Sequence, residues 1–217
     1  LGATTTISDL EHSDLIAKEA KALWQAAVSF ADPTTRHSAT VGGNISNASP
    51  AADTAPALLA LDAVVTLEKK SGKREVPLSE FFKGVGKTVV EPGEIVTAIT
   101  FKKSQNCAFI KLGIRNAMAI SVANVAVSLA LDGQNIKDVK IAMGSVAPTP
   151  RRCKAVEKAL TGKELTDANI AEAVKGLETD ICPIDDVRAT GKYRKQVAPV
   201  LVTRAIHAAC GCKNGGA

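Results

Sequence analysis

Aromatic residues are scarce in this chain. Phe, Tyr and Trp make up 3% of its 217 residues, with a single tryptophan, Trp24, and a single tyrosine, Tyr193. Cores must therefore be built from Ala, Val, Leu and Ile, and few rings are left on which nucleobases could stack. Concentrated charge is also lacking. Lys and Arg outnumber Asp and Glu by 27 to 22, giving a net charge of +5 and a pI near 9.0. The positive residues are scattered, which argues against nucleic acid as a partner. Long apolar runs are missing as well. The longest, Val122 to Leu131, is interrupted by Asn124 and Ser128 and is too short to span a bilayer, so no membrane insertion is expected. No cleavable signal pattern is present, and the first residue is Leu1, so the chain reads as a piece of a longer polypeptide.

Metal-binding patterns are absent too. The five cysteines, Cys107, Cys153, Cys182, Cys210 and Cys212, are odd in number and contain no C-x-x-C. Reduced thiols in a cytoplasmic protein are the expectation. Cys210-Gly-Cys212 has no further ligand nearby, and His12, His37 and His207 are scattered, so no zinc or iron–sulfur spacing exists.

What is present is a succession of helix and strand patterns. Thr6 and Asp9 resemble a short capping box, and Ser13 can cap a second, longer helix carrying Ile16, Ala20, Leu23, Trp24 and Ala27 up to Pro33. Trp24 reads as a core residue. "AVVTLEKKSGKREVPL" reads as a hairpin, "LSEFF" as a short helix, and "GVGKTVVEPGEIVTAITF" as strand, Pro-Gly turn, strand. "CAFIKLGIRN" is a strand and loop. "SVANVAVSLALDGQNIKDVKIAMGSV" alternates along a strand, turns at Asp132-Gly133 and returns. Helices follow over about 152–160, from a Thr166 cap to about 177, and over about 192–209, where Pro199 should kink or shorten the last one. The fold class is α+β in two units: 1–103, mixing helices and short strands, and 104–212, a small antiparallel sheet with helices on one face.

One stretch stands apart: "TVGGNISNASPAADTAPALLALDA", residues 40–63. Gly42-Gly43 removes two side chains, which allows positive φ and a backbone nest for an anion. Asn44, Ser46, Asn47 and Ser49 supply neutral donors and acceptors. Asp53 can either cap the following helix or accept hydrogen bonds from a ribose or heterocycle. The assembly suits a diphosphate nucleotide, although a plain turn and a plain cap explain the same residues. It is neither a P-loop nor a Rossmann fingerprint, since no GK[ST] follows and no long strand leads in.

The same stretch closely resembles the second flavin-binding motif of the FAD-carrying subunits of molybdenum hydroxylases, of the carbon monoxide dehydrogenase medium-subunit and xanthine dehydrogenase type. "LGATTTISDLE", "EPGEIVTAI", "AFIKLGIRNAMAISVANVAVSLALDG", "IAMGSVAPTPRR" and "PIDDVRATGKYRKQVAPVLVTRAI" are similar to that family's further signatures, in order along the chain. The resemblance implies the second lobe of the vanillyl-alcohol-oxidase-type FAD-binding fold, followed by a C-terminal α+β domain. It implies FAD as cofactor, with Thr40, Gly42, Gly43, Asn44, Asn47 and Asp53 along it. Val96 matches an apolar contact, Phe30 an aromatic that packs on the flavin in some relatives, and Lys111 a lysine near the flavin, with Arg115 just after it. A cation there would favour negative charge on the reduced flavin.

The implied activity is electron transfer: electrons from [2Fe–2S] clusters on a small subunit reach FAD here and pass to an external acceptor, while a molybdopterin large subunit hydroxylates the substrate. No catalytic base or nucleophile is nominated. The sequence departs from the family pattern in three places. The family's first-lobe glycine motif, similar to AGGT, is not in this stretch of chain, which would leave half a flavin site. Ala119 stands where many relatives have Asp, and Pro199 interrupts a helix. A flavin-free module that only docks partner subunits is the alternative reading, and a simple nucleotide-binding protein a third.

Overall fold

The computed structural model describes residues 1–211. Cys212, and with it the second half of the Cys-Gly-Cys pair and the end of the second expected unit, lies outside the described residues.

The chain enters through α1 (Ile7–Glu11), closed by a reciprocal capping box in which the Asp9 N–H donates to Thr6 Oγ1 and the Thr6 N–H donates to Asp9. Ser13 caps the next helix through the Ile16 N–H. The single longer helix expected there is two, α2 (Asp14–Glu19) and α3 (Lys21–Val28). Ala20 leaves helical geometry (φ −151°, ψ 52°) and bridges Ser104 instead, so a distant strand entry takes the backbone groups that helix continuation would have used. Trp24 is half-buried at the flank of the core rather than inside it, its indole N–H donating to the Glu11 carbonyl at 2.8 Å. Pro33 opens a further helix, α4 (Pro33–Ser38), capped by Asp32.

Next come α5 (Val41–Ser46) and α6 (Thr54–Ala60). The hairpin of β1 (Val64–Lys69) and β2 (Gly72–Pro77) follows as expected, then α7 (Leu78–Phe81) and a small ladder of β3 (Phe82–Gly84) with β4 (Lys87–Thr88). β5 (Ile95–Thr100) returns to pair antiparallel with β1, giving the sheet order β2-β1-β5.

A second antiparallel sheet, in the order β6-β7-β8-β9, is built from β6 (Cys107–Leu112), β7 (Ala123–Asp132), β8 (Asn135–Gly144) and β9 (Arg151–Arg152). Then come α8 (Lys154–Leu160), α9 (Asp167–Ala173) capped by Thr166, a 3₁₀ turn at Val174–Gly176, α10 (Leu177–Asp180) and α11 (Gly191–Ala209).

The C-terminal helices do cover one face of this sheet: Val125, Val127, Ile141 and Met143 pack with Val156, Ala198 and Val202. The opposite face is covered as well, because Phe109, Ala126 and Ala142 join the core of the first unit with Leu23, Ala27 and Leu58. That two-sided burial replaces the expected alternation along β7, whose first five residues are all buried. Asp62 fastens the two units together. Its carboxylate meets Arg152 at 2.9 Å, Lys102 at 3.2 Å and Lys140 at 3.4 Å.

Pro199 does not shorten α11, which runs unbroken for 19 residues. The carbonyl that the proline leaves without its helical partner belongs to exposed Lys195, where water can satisfy it.

Candidate functional site

Most of the residues singled out in the sequence fall into two places. The first is a groove of about 450 Å³ beside α5, lined by Thr40, Gly42, Gly43 and Val96 together with Thr4 and Ser46. The second is a buried charge cluster containing Asp53 and Lys111, against a pocket of about 210 Å³ that Arg115 also lines.

At the groove, the glycine pair is not a positive-φ turn. Both glycines lie inside α5, whose cap is the Thr40 hydroxyl accepting from the Gly43 N–H at 3.0 Å. The expected backbone nest is also closed, since the Val41 N–H donates to the Thr5 carbonyl at 3.0 Å and the Gly42 N–H to the Ala3 carbonyl at 2.9 Å. The glycines serve close approach instead. A Cβ on Gly42 would lie 2.7 Å from both the Ala3 methyl and the Ala3 carbonyl oxygen. Gly43 is exposed, so its bare backbone forms part of the groove wall.

The groove is otherwise neutral. Thr4, Thr40, Ser46 and Thr88 contribute hydroxyls to its lining, and Val90, Ile95 and Val96 contribute apolar surface. Glu94, its one ionisable lining residue among those described, is turned into a bidentate pair with Arg74 at 2.7 and 2.8 Å. The Arg74 guanidinium, aided by the Glu91 N–H, holds the Glu94 carboxyl down at about 2. Its negative charge is thereby matched and does not repel an anionic ligand.

At the second place, Asp53 occupies the N-cap position of α6 but makes no capping hydrogen bond. Its carboxylate faces away from the helix. Lys111 Nζ donates to Oδ2 at 2.6 Å, while Ser121 Oγ and Asn124 Nδ2 donate to Oδ1 at 2.6 and 3.0 Å. Lys111 is consequently no solvated charge at a strand end: its side chain is 9% exposed, and it also donates to the Ser29 carbonyl at 3.0 Å. Arg115 curls onto its own loop, donating to the carbonyls of Ala117 and Met118.

The remaining residues are placed less centrally. Asn44 accepts from the Thr54 hydroxyl at 2.6 Å, tying α5 to α6. Asn47 is exposed at the C-cap of α5. Phe30 is half-buried against the first core, just past α3. Sequence reasoning did not single out Ser121, Asn124 or Arg74. The first two left a readable trace, as the polar residues at the start of an otherwise apolar strand. Arg74 left none.

Comparison with known proteins covers both halves of the chain. Residues 1–101 match the model of the FAD binding domain in molybdopterin dehydrogenase, and residues 108–209 that of the CO dehydrogenase flavoprotein C-terminal domain. The glyceraldehyde dehydrogenase medium chain of Sulfolobus acidocaldarius is 34% identical over 206 residues, covering 94% of this chain and 73% of that one. The putative xanthine dehydrogenase FAD-binding subunit of Escherichia coli strain K12 is 31% identical, over 99% of this chain and 75% of its own. Carbon monoxide dehydrogenase from Hydrogenophaga pseudoflava superposes with a TM-score of 0.92 at 31% identity, over 97% of this chain and 74% of the other.

The class is thus an oxidoreductase subunit built around FAD. The chain belongs to the family of FAD-binding medium subunits of the molybdopterin dehydrogenases, which includes the carbon monoxide and xanthine dehydrogenase types.

The groove's residues fit part of such a cofactor. A side chain on Gly43 would come within 2.9 Å of the Thr40 hydroxyl and fill the wall. The bare backbone, the hydroxyls and the apolar residues of the lining suit a ligand with both polar and apolar parts. Among the described residues no helix is long and apolar enough to cross a membrane, and no group of three or more His, Cys, Asp or Glu could hold a metal ion.

Proposed function

We propose that this chain is an electron-transfer flavoprotein subunit. In this reading it receives electrons from [2Fe–2S] clusters on a small partner subunit and delivers them to an external acceptor, while a molybdopterin-carrying large subunit transforms the substrate. FAD, when bound, supplies the redox chemistry. The chain's own residues bind and orient it. Thr40, Gly42, Gly43, Asn44, Asn47 and Val96 take its length along the α5 groove, and Phe30 and the Asp53–Lys111 pair border its reactive end. The division into an FAD-binding unit, 1–103, and a C-terminal unit, 104–212, is part of the proposal, as is a cytoplasmic location.

The observation that carries it is the neutral groove walled by the Gly43 backbone, where the one carboxylate, Glu94, is matched by Arg74. A surface that served only to dock subunits has no use for it.

The test is to express the intact gene product with its partner subunits and record its absorbance after gel filtration. A retained flavin spectrum, bleached when the reducing substrate of the complex is supplied, is the expected result. Folded, colourless protein in an assembled complex would overturn the proposal in favour of a docking module.

A further inference from the structure

We propose that Ser121 and Asn124 are positioning residues for Lys111, acting through Asp53, so that the lysine presents a fixed ammonium to the flavin end of the site. This rests on the electron-transfer reading above and names the residues that hold Lys111 in place.

The geometry points to this from three directions. First, Lys111 on β6, Asn124 on β7 and Gly144 on β8 are directly opposite one another across the sheet, so they share a face. The side chain missing at Gly144 makes the space: a Cβ there would lie 2.4 Å from Asn124 Oδ1. Second, the donors divide cleanly between the two oxygens of Asp53. Oδ1 takes Ser121 and Asn124, which are themselves linked at 3.1 Å, and Oδ2 is left for Lys111. With Oδ1 held by two donors that are both 0% exposed, the carboxylate cannot rotate without stranding one of them. Ser121 is itself fixed from behind, its carbonyl accepting from Ser145 Oγ at 3.0 Å and from Arg188 Nη1 at 3.4 Å.

Third, the arrangement carries a defect that packing alone would have removed. Asn124 Oδ1 is buried and has no hydrogen-bond partner. A leucine there would leave no orphan acceptor, so the asparagine is there for what its amide nitrogen does. The result is an ammonium with two of its protons committed, to Asp53 and to the Ser29 carbonyl. The third has no protein acceptor among the described residues and is available to the 210 Å³ pocket that Lys111 lines.

The experiment uses the intact gene product loaded with FAD. It compares Lys111→Met, Asn124→Ala, Ser121→Ala and the Lys111→Met/Asn124→Ala pair by flavin midpoint potential, FAD dissociation constant and melting temperature of the FAD-free protein. Lys111→Met is expected to lower the potential, because it removes a positive charge that favours the reduced flavin. Asn124→Ala and Ser121→Ala are expected to shift the potential the same way by a smaller amount, and to weaken FAD binding about tenfold, the equivalent of one charge-assisted hydrogen bond. The pair should show no potential shift beyond that of Lys111→Met alone. If Lys111→Met moves the potential but neither Asn124→Ala nor Ser121→Ala does, at full flavin occupancy, the positioning role is wrong while the site assignment stands. If Lys111→Met moves neither potential nor affinity, the site assignment falls and this proposal with it. Should Asn124→Ala fail to fold, Ser121→Ala decides the matter alone.

Discussion

The Lys111 ammonium lies 2.6 Å from the Asp53 carboxylate, with both side chains more than nine-tenths buried. The two residues are 58 positions apart, Asp53 at the start of α6 and Lys111 on β6. Their pairing joins the helical layer of the first unit to the second sheet, and it does so directly beside the pocket lined by Lys111 and Arg115. Structure and site therefore share one interaction.

Breaking that pair from one side should be costly. Asp53→Ala leaves a lysine buried without its counter-charge, and Ser121 and Asn124 without their common acceptor. The expected loss is about 3–5 kcal/mol of unfolding free energy, read by denaturant titration. Asp53→Ala combined with Lys111→Met should lose less than the sum of the two single changes. Strict additivity would show that the two groups are not energetically coupled.

The two adjacent glycines should behave differently. Gly42→Ala gains helix propensity, but its Cβ meets the Ala3 carbonyl oxygen at 2.7 Å. Backbone cannot yield cheaply, so a net destabilisation of about 1–3 kcal/mol is expected. Gly43→Val places its side chain in the groove wall, where its Cβ comes within 2.9 Å of the capping Thr40 hydroxyl; it should cost about 1–2 kcal/mol through the cap and lower FAD occupancy more than Gly42→Ala does. Absorbance ratios and thermal melts on both variants check this, and unchanged occupancy in Gly43→Val would show that FAD does not follow the α5 groove.

Much of the fold was legible in the sequence because its signals are local. Thr6 with Asp9, Ser13 with Ile16 and Thr166 with Asn169 are caps whose partners lie three residues away, and each is found as expected. The hairpin turn at Asp132-Gly133 is equally local. What misled was nonlocal. Asp53 looked like a helix cap, but its real partners lie 58, 68 and 71 residues further on. Gly42 looked like a turn because Ala3, the reason for its missing side chain, is 39 positions earlier (42 − 3) and leaves no mark in the local sequence. Ala20 read as helix interior until Ser104 claimed it. The chemistry of the Gly-Gly-Asn stretch suggested a nucleotide without deciding for one, since between two helices it has ordinary explanations; only the family resemblance pointed to FAD.

Pro199 offers a test of how α11 tolerates a missing hydrogen bond. The proline is half-buried in a helix of 19 residues. Pro199→Ala restores a donor toward the Lys195 carbonyl and relieves the ring's clash there, while giving back some unfolded-state entropy. The balance favours the alanine by about 1–2 kcal/mol. A raised melting temperature with unchanged flavin content is expected. A lowered one would show that the proline ring is needed in the packing of α11.

Acid should reveal the Arg74–Glu94 pair. Glu94 has a side chain 1% exposed and a carboxyl held at about 2, against an ordinary value of 4.5. Its folded value lies below its unfolded one, so the ionised form stabilises the fold. That contribution is complete above about pH 4.5 and is lost as the pH falls toward about 2. Asp186 has the same sign, held below the usual carboxylate range by Arg188 first and then by Arg194. The wild-type response alone therefore does not isolate Glu94. Arg74→Met does, because it removes the guanidinium and leaves Asp186 untouched. At neutral pH the variant must bury a carboxylate whose remaining cation, Lys69, is 4.0 Å away, and should melt lower than the wild type. Between about pH 5 and about pH 3 its Glu94 takes up a proton before the wild-type residue does, and the difference in melting temperature should shrink. Glu94→Gln supplies the control, with a pH response that lacks this component. A difference between wild type and Arg74→Met that stays constant from about pH 7 to about pH 3 would mean that the pair contributes no linked proton, and that the neutrality of the groove has another origin.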